Sequence, residues 1–161
     1  MEDTSQGARP IEAPRGMYTC KLDDRSRLKL PADWVTFFNS LDEKTLFITS
    51  LDRQVAQIYP MSVWRDNEKL LDNFSEEEGA SSVVAFIAND LGGTVEIDSQ
   101  GRVVIPQKLR EQLNMDGQSL HLYSYRGHAE VLTDVEYAKK REQAAPAAQD
   151  SLKILKKAGL K

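Results

Sequence analysis

The chain has one cysteine, two histidines and no long apolar run among its 161 residues. A lone thiol, Cys20, forms no internal disulfide, so a reducing cytoplasm is the expected setting. No stretch approaches the roughly 18 apolar residues of a membrane span, and no membrane partner is expected. The opening MEDTSQGARPIEAPRG carries no apolar segment of the kind a secretory signal needs. His121 and His128 have no cluster of Cys, Asp or Glu at ligand spacing, so no metal is expected and they read as turn or surface histidines. No Ser/His/Asp arrangement or phosphate-cradling glycine loop is present, and Leu91-Gly92-Gly93 reads as a helix stop. Asp23 and Asp24 are adjacent, and adjacent residues on a strand face opposite ways. Cys20 falls at an apolar strand position and reads as a small buried hydrophobe, not a nucleophile. Catalytic residues and cofactors are therefore not expected, and the chain reads as no enzyme.

Positive charge is also short. Lys and Arg number 21 against 25 Asp and Glu, a net charge of −4. Phosphate binding leans on Lys and Arg, so the total argues against nucleic acid. The distribution argues for it. Between Arg15 and Pro31 stand Arg15, Lys21, Arg25, Arg27 and Lys29, opposed only by Asp23 and Asp24. The acids gather elsewhere, as at Glu76, Glu77 and Glu78.

What the chain does have is a repeat. CKLDDRSRLKLP, Cys20 to Pro31, is echoed by VEIDSQGRVVIP, Val95 to Pro106. At one constant offset Asp23 matches Asp98, Arg27 matches Arg102, Leu30 matches Ile105 and Pro31 matches Pro106. Around each copy the same order is legible. An alternating strand runs into a polar turn and a second strand ending in proline. A helix follows, with proline in its first turn. Two more strands and another helix complete the half. Trp34, Phe37, Phe38 and Leu41 stand at helical spacing and read as core, with a base-stacking platform as the other reading. Ser62 is the expected cap of a helix bearing Val63, Trp64, Leu70, Leu71 and Phe74. Ser75 with Glu78 fits a capping box for a helix with Val83, Val84 and Ile87. Asp134 is the expected cap of the last helix, with Val135 and Ala138 inward.

The expected organisation is a disordered arm over 1–15, repeats over 16–78 and 79–145, and a basic tail over 146–161. Half a chain of this size buries little alone, so the fold class is α+β with two tandem pseudo-symmetric halves packing together by interleaved strands. Leftover surfaces favour a homo-oligomer.

The repeated core is Asp-x-x-x-Arg followed by apolar-x-apolar-Pro. Asp23 and Asp98 open their turns and can accept from backbone N–H groups just ahead. Gly101 supplies a left-handed position, where Ser26 stands in the first copy, implying strain or another turn type there. Arg27 and Arg102 can each reach back to their aspartate, which fixes a planar guanidinium for phosphate or a guanine edge. The pair can equally be a plain staple of a hairpin turn, and both roles are compatible.

RGMYTCKLDDRSRLKLPADW, LFITSLDRQVAQIYPMSVW and VEIDSQGRVVIPQKLREQLNM resemble the MraZ family of bacterial transcriptional regulators. The resemblance runs from about Arg15 to Tyr137 and includes the Tyr-Pro-x-Ser-x-Trp segment at Tyr59–Trp64. It implies two AbrB-like swapped-hairpin β-barrel halves with flanking helices. It implies octamer-like closed rings that bind direct repeats in double-stranded DNA ahead of the division and cell-wall gene cluster, in a cytoplasmic, nucleoid-associated setting. It ties Arg27, and by position Arg102, to DNA, with Arg15, Lys21, Arg25 and Lys29 as basic neighbours and Asp23, Asp98 and Gly101 shaping turns. The chain departs from the family pattern in three places. SSVVAFIANDLGG lacks the basic stretch usual before the second motif, Ser26 replaces a turn glycine, and the N-terminal arm is longer and carries acids. The extra cations of the first copy point to it as the DNA-facing one, with the second mainly structural. A protein-interaction module, gripping a partner through Ser151–Lys161, is the other functional reading.

Overall fold

The computed structural model describes residues 10–77 and 79–161. Its elements in chain order are β1 (Tyr18–Cys20), β2 (Arg27–Lys29), α1 (Ala32–Asn39), β3 (Thr45–Thr49), β4 (Ala56–Pro60), α2 (Met61–Asn73), α3 (Ala80–Leu91), β5 (Gly93–Glu96), β6 (Arg102–Val104), α4 (Gln107–Gln112), β7 (Leu120–Tyr125), β8 (His128–Thr133) and α5 (Asp134–Lys157). The class is α+β with antiparallel pairing throughout, as expected. The expected arm falls partly on residues 1–9, which lie outside the described residues, and residues 10–15 form neither helix nor strand.

Each half completes the other's sheet. A six-stranded sheet runs β1-β7-β8-β4-β3-β5, and β2 pairs with β6 in a separate ribbon. The first strand of the first half thus lies on the second half, with Tyr18 opposite Leu122. The first strand of the second half lies on the first, with Leu46 opposite Val95. Leu28 faces its own counterpart Val103, and Gln57 faces Glu130. These two pairs lie on a pseudo-twofold axis.

The core is doubled in the same way. Leu28 and Val103, Leu30 and Ile105, Trp34 and Leu109, and Phe38 and Leu113 are buried pairs at the motif's offset. Trp34 packs against Phe37 and Phe38 at ring separations of 5.8 and 5.3 Å, so these aromatics are core. Most of the core residues from both halves form one continuous cluster, so the two halves share one core.

Several helix expectations are corrected. Helix α2 starts at Met61 after Pro60, with no side-chain cap, so Ser62 lies inside it. Gly79 in the left-handed region precedes α3, and the Ser75–Glu78 capping box involves Glu78, which lies outside the described residues. Thr133, not Asp134, caps α5, accepting from the Glu136 N–H. Val135 and Ala138 are exposed, because Glu136 and Tyr137 turn toward the sheet instead. On α2 and α3 only Trp64, Ala88 and Leu91 are buried, and Leu70, Phe74, Val83 and Phe86 stand in solvent. Helix α5 continues through Pro146. Every residue from Ala138 onward is exposed, so water can take the carbonyl that proline leaves without a donor. No helix among the described residues is long and apolar enough to cross a membrane.

Candidate nucleic-acid interface

The two motif turns are built alike. Asp23 Oδ1 accepts from the backbone N–H of Arg25 and of Arg27, each at 2.9 Å, and its Oδ2 accepts from Arg27 Nε at 2.8 Å. Asp98 Oδ1 accepts from the N–H of Gln100 and of Arg102 at 2.9 Å, and its Oδ2 from Arg102 Nε at 2.8 Å. Backbone bonds close each turn, Asp23 N–H to Arg27 O at 2.8 Å and Asp98 N–H to Arg102 O at 2.9 Å. The aspartate spends its oxygens on the turn and on Nε. The two Nη groups at the tip of each guanidinium stay available for an outside acceptor. Staple and presenter are therefore one arrangement.

The first turn is of the same type as the second. Ser26 takes φ 62° where Gly101 takes φ 76°, so the serine carries left-handed strain. The halves also brace each other's turns. Leu30 N–H donates to Gly101 O at 3.0 Å and Ile105 N–H to Ser26 O at 3.4 Å. A Cβ on Gly101 would lie 3.0 Å from Val35 Cγ2. Ser26→Gly is expected to raise stability by up to about 1 kcal/mol, and Gly101→Ala to lower it by more. Urea midpoints at unchanged slope measure both.

Backbone N–H bonds from Arg27 and Arg102 hold the Asp23 and Asp98 carboxyls below the usual carboxylate range. A lowered folded-state value adds stability above the unfolded value of about 3.9, and that stability is lost as pH falls through the folded value. The acid limb of the stability curve is thus expected to set in below about pH 4. Asp23→Asn with Asp98→Asn is expected to flatten that limb while leaving the slope above pH 5 unchanged, as read by thermal melts across pH.

The β2–β6 ribbon puts both arginines on one face. Arg27 stands opposite Val104, and Lys29 opposite Arg102, about the central pair Leu28–Val103. Leu28 and Val103 point into the core at 0% and 1% exposure, while Val104 is 56% exposed. Arg27, Lys29, Arg102 and Val104 therefore share the outer face. Arg25 is exposed on the first turn, and Lys29 Nζ donates to Gln100 O of the second. Lys21 is exposed just beyond β1. Arg15 lies apart, ion-paired with Glu12 at 2.6 Å. The division into one outward copy and one structural copy does not follow the geometry, since the ribbon interleaves them. Val104 is the outer-face residue that its motif hides. After Arg102 the run VVIP is apolar throughout, and only alignment with RLKLP shows that Val104 matches the outward Lys29.

The histidines are not at the surface. His121 is buried, with Nε2 2.6 Å from Asp134 Oδ1 and its ring stacked on Tyr137 at 4.0 Å. His128 is buried beside Tyr59, with Nε2 3.0 Å from Glu130 Oε1. Glu130 also accepts from Gln57 Nε2 at 3.1 Å, so this network sits on the pseudo-twofold. Burial pushes the Cys20 thiol up to about 12, away from the range of a reactive thiolate.

The family model for the MraZ protein, described as antitoxin-like, matches residues 92–152. A transcriptional regulator MraZ of Acidobacterium capsulatum is 32% identical over 136 residues, covering 84% of this chain and 92% of that protein. One from Koribacter versatilis is 30% identical over 150 residues, covering 91% and 99%. One from Desulfitobacterium hafniense is 29% identical over 143 residues, covering 85% and 94%. With two Asp-x-x-x-Arg turns of one geometry and likeness along nearly the whole length, the chain belongs to the MraZ family.

Proposed function

We propose that the chain is a transcriptional regulator that binds double-stranded DNA through the outer face of the β2–β6 ribbon. The observation that carries this is the pair of aspartate-held guanidiniums at opposite ends of one exposed two-stranded ribbon. A major groove admits such a ribbon, and arginine tips pair with guanine O6 and N7. Lys21 and Arg25 add phosphate contacts, which fix register without reading sequence, while Arg15 is held by Glu12 away from the ribbon. The relatives named transcriptional regulators MraZ support the regulatory role. In this reading the strand exchange is a swapped-hairpin AbrB-like barrel of repeats 16–78 and 79–145, in a cytoplasmic protein associated with the nucleoid.

One ribbon offers a small contact, so the working form is a ring of copies on direct DNA repeats ahead of the division and cell-wall cluster, where weak contacts add as avidity. Two exposed surfaces fit such an assembly. Leu152, Ile154 and Leu155 stand bare on α5 beside Lys153, Lys156 and Lys157. Leu70, Phe74, Val83 and Phe86 stand bare around α2 and α3, near the acids Glu68, Asp72, Glu76 and Glu77. Apolar faces of opposite charge are complementary. The exposed end of α5 also favours the second reading, a protein-interaction module gripping a partner other than its own copies through Ser151–Lys161.

The test is salt dependence. Two phosphate contacts per ribbon give a slope of log affinity against log salt of about −1.8 for each bound ribbon. A slope near zero would sink the DNA reading, and DNA binding that survives deletion of the ribbon cations would sink the ribbon as its site. Recovery of a foreign protein that depends on Ser151–Lys161, with no DNA binding, would favour the second.

A further inference from the structure

We infer that Lys29 and Val104 set the direction in which one protomer lies on its DNA element. The inference rests on the ribbon being the DNA-binding face, and adds to it a rule of polarity. The ribbon has a pseudo-twofold axis through the Leu28–Val103 pair. Turned about that axis, Arg27 falls on Arg102, Asp23 on Asp98 and the backbone of each turn on the other, with matching hydrogen bonds. A ribbon symmetric in its side chains would sit equally well on a duplex in either direction. Two outer-face strand positions are related by the axis yet differ, and they are Lys29 and Val104.

Strand exchange puts each of them beside the other half's arginine. One end of the ribbon carries Arg27 with Val104, and the other carries Arg102 with Lys29. The ends ask for different bases. Lys29 donates one proton to Gln100 O, and its ammonium keeps two more donors, which suit guanine acceptors next to those read by Arg102. Val104, 56% exposed and apolar, suits a thymine methyl next to the base read by Arg27. A half-site that satisfies one end leaves the other with an unpaired ammonium against a methyl, or a valine against polar edges. The turn tips differ too, with Arg25 against Gln100. Both tips sit beyond the strands, where contacts go to phosphates and carry no base preference.

The experiment attaches an iron chelate to a cysteine placed in the first turn by Asp24→Cys, in a Cys20→Ser background. The probe is a short duplex holding one element, selected by the parent protein from a random pool. The parent is expected to cut one flank about tenfold more than the other. Lys29→Val with Val104→Lys keeps the composition and the charge, and is expected to move the cut to the opposite flank. Val104→Lys alone makes the ends alike, and is expected to cut both flanks equally. Cutting on the parent's flank in both variants would overturn the polarity rule while leaving the ribbon as the DNA face. An uncut element in the parent, with affinity retained, would instead overturn the ribbon reading itself.

Discussion

Arg27→Ala is expected to weaken DNA binding by about 10- to 100-fold, and Arg27→Ala with Arg102→Ala by more than either alone. The substitution is clean because of how the turn is held. Asp23 Oδ1 still accepts from the N–H groups of residues 25 and 27, and the backbone bonds that close the turn remain. Leu28 and Val103 still fill the core beneath. The loss therefore falls on contact rather than on fold. Arg27→Lys keeps the charge without the planar fork and should lie between parent and alanine. Fluorescence anisotropy at fixed salt measures affinity, and light scattering shows whether the assembly persists. Parent-like affinity in Arg27→Ala would remove that residue from the interface.

Trp34→Ala is expected to cost about 3–5 kcal/mol. Trp34 is fully buried against Phe37 and Phe38 in the cluster that both halves share. Its Nε1 is buried without a hydrogen-bond partner among the described residues. Trp34→Phe removes that donor together with some volume, so it should cost clearly less. Urea unfolding at one fixed protein concentration separates the two, because assembly makes apparent stability depend on concentration.

The repeat made most of the fold readable. A doubled Asp-x-x-x-Arg at constant offset implied two like halves, and Trp34, Phe37 and Phe38 at helical spacing implied core. What stayed hidden depends on partners far along the chain. His121 lies in SLHLYSY, where alternation leaves it on a polar face. Strand β7 is interior to the sheet, between β1 and β8, and Tyr137 of α5 covers that second face. His128 is hidden for a like reason, closed over by Tyr59 and tied to Glu130. The same long-range pairing joins Lys29 to Arg102. Reading the copies one after the other in sequence makes the first look like the DNA-facing one, whereas cross-pairing makes their outer residues a single surface. The apolar residues of α2, α3 and α5 follow helical patterns, yet pattern alone does not say which stripe has a partner within the chain. Leu70, Phe86 and Ile154 have none that buries them.

The central claim is that the outer face of the β2–β6 ribbon meets DNA. The most direct measurement is the alkylation rate of a thiol introduced by Val104→Cys, in a Cys20→Ala background, with and without DNA. A thiol introduced by Gln54→Cys, exposed in the loop between β3 and β4, serves as the reference. DNA is expected to slow the reaction at position 104 and leave that at position 54 unchanged. Slowing at 54 with none at 104 would contradict the account.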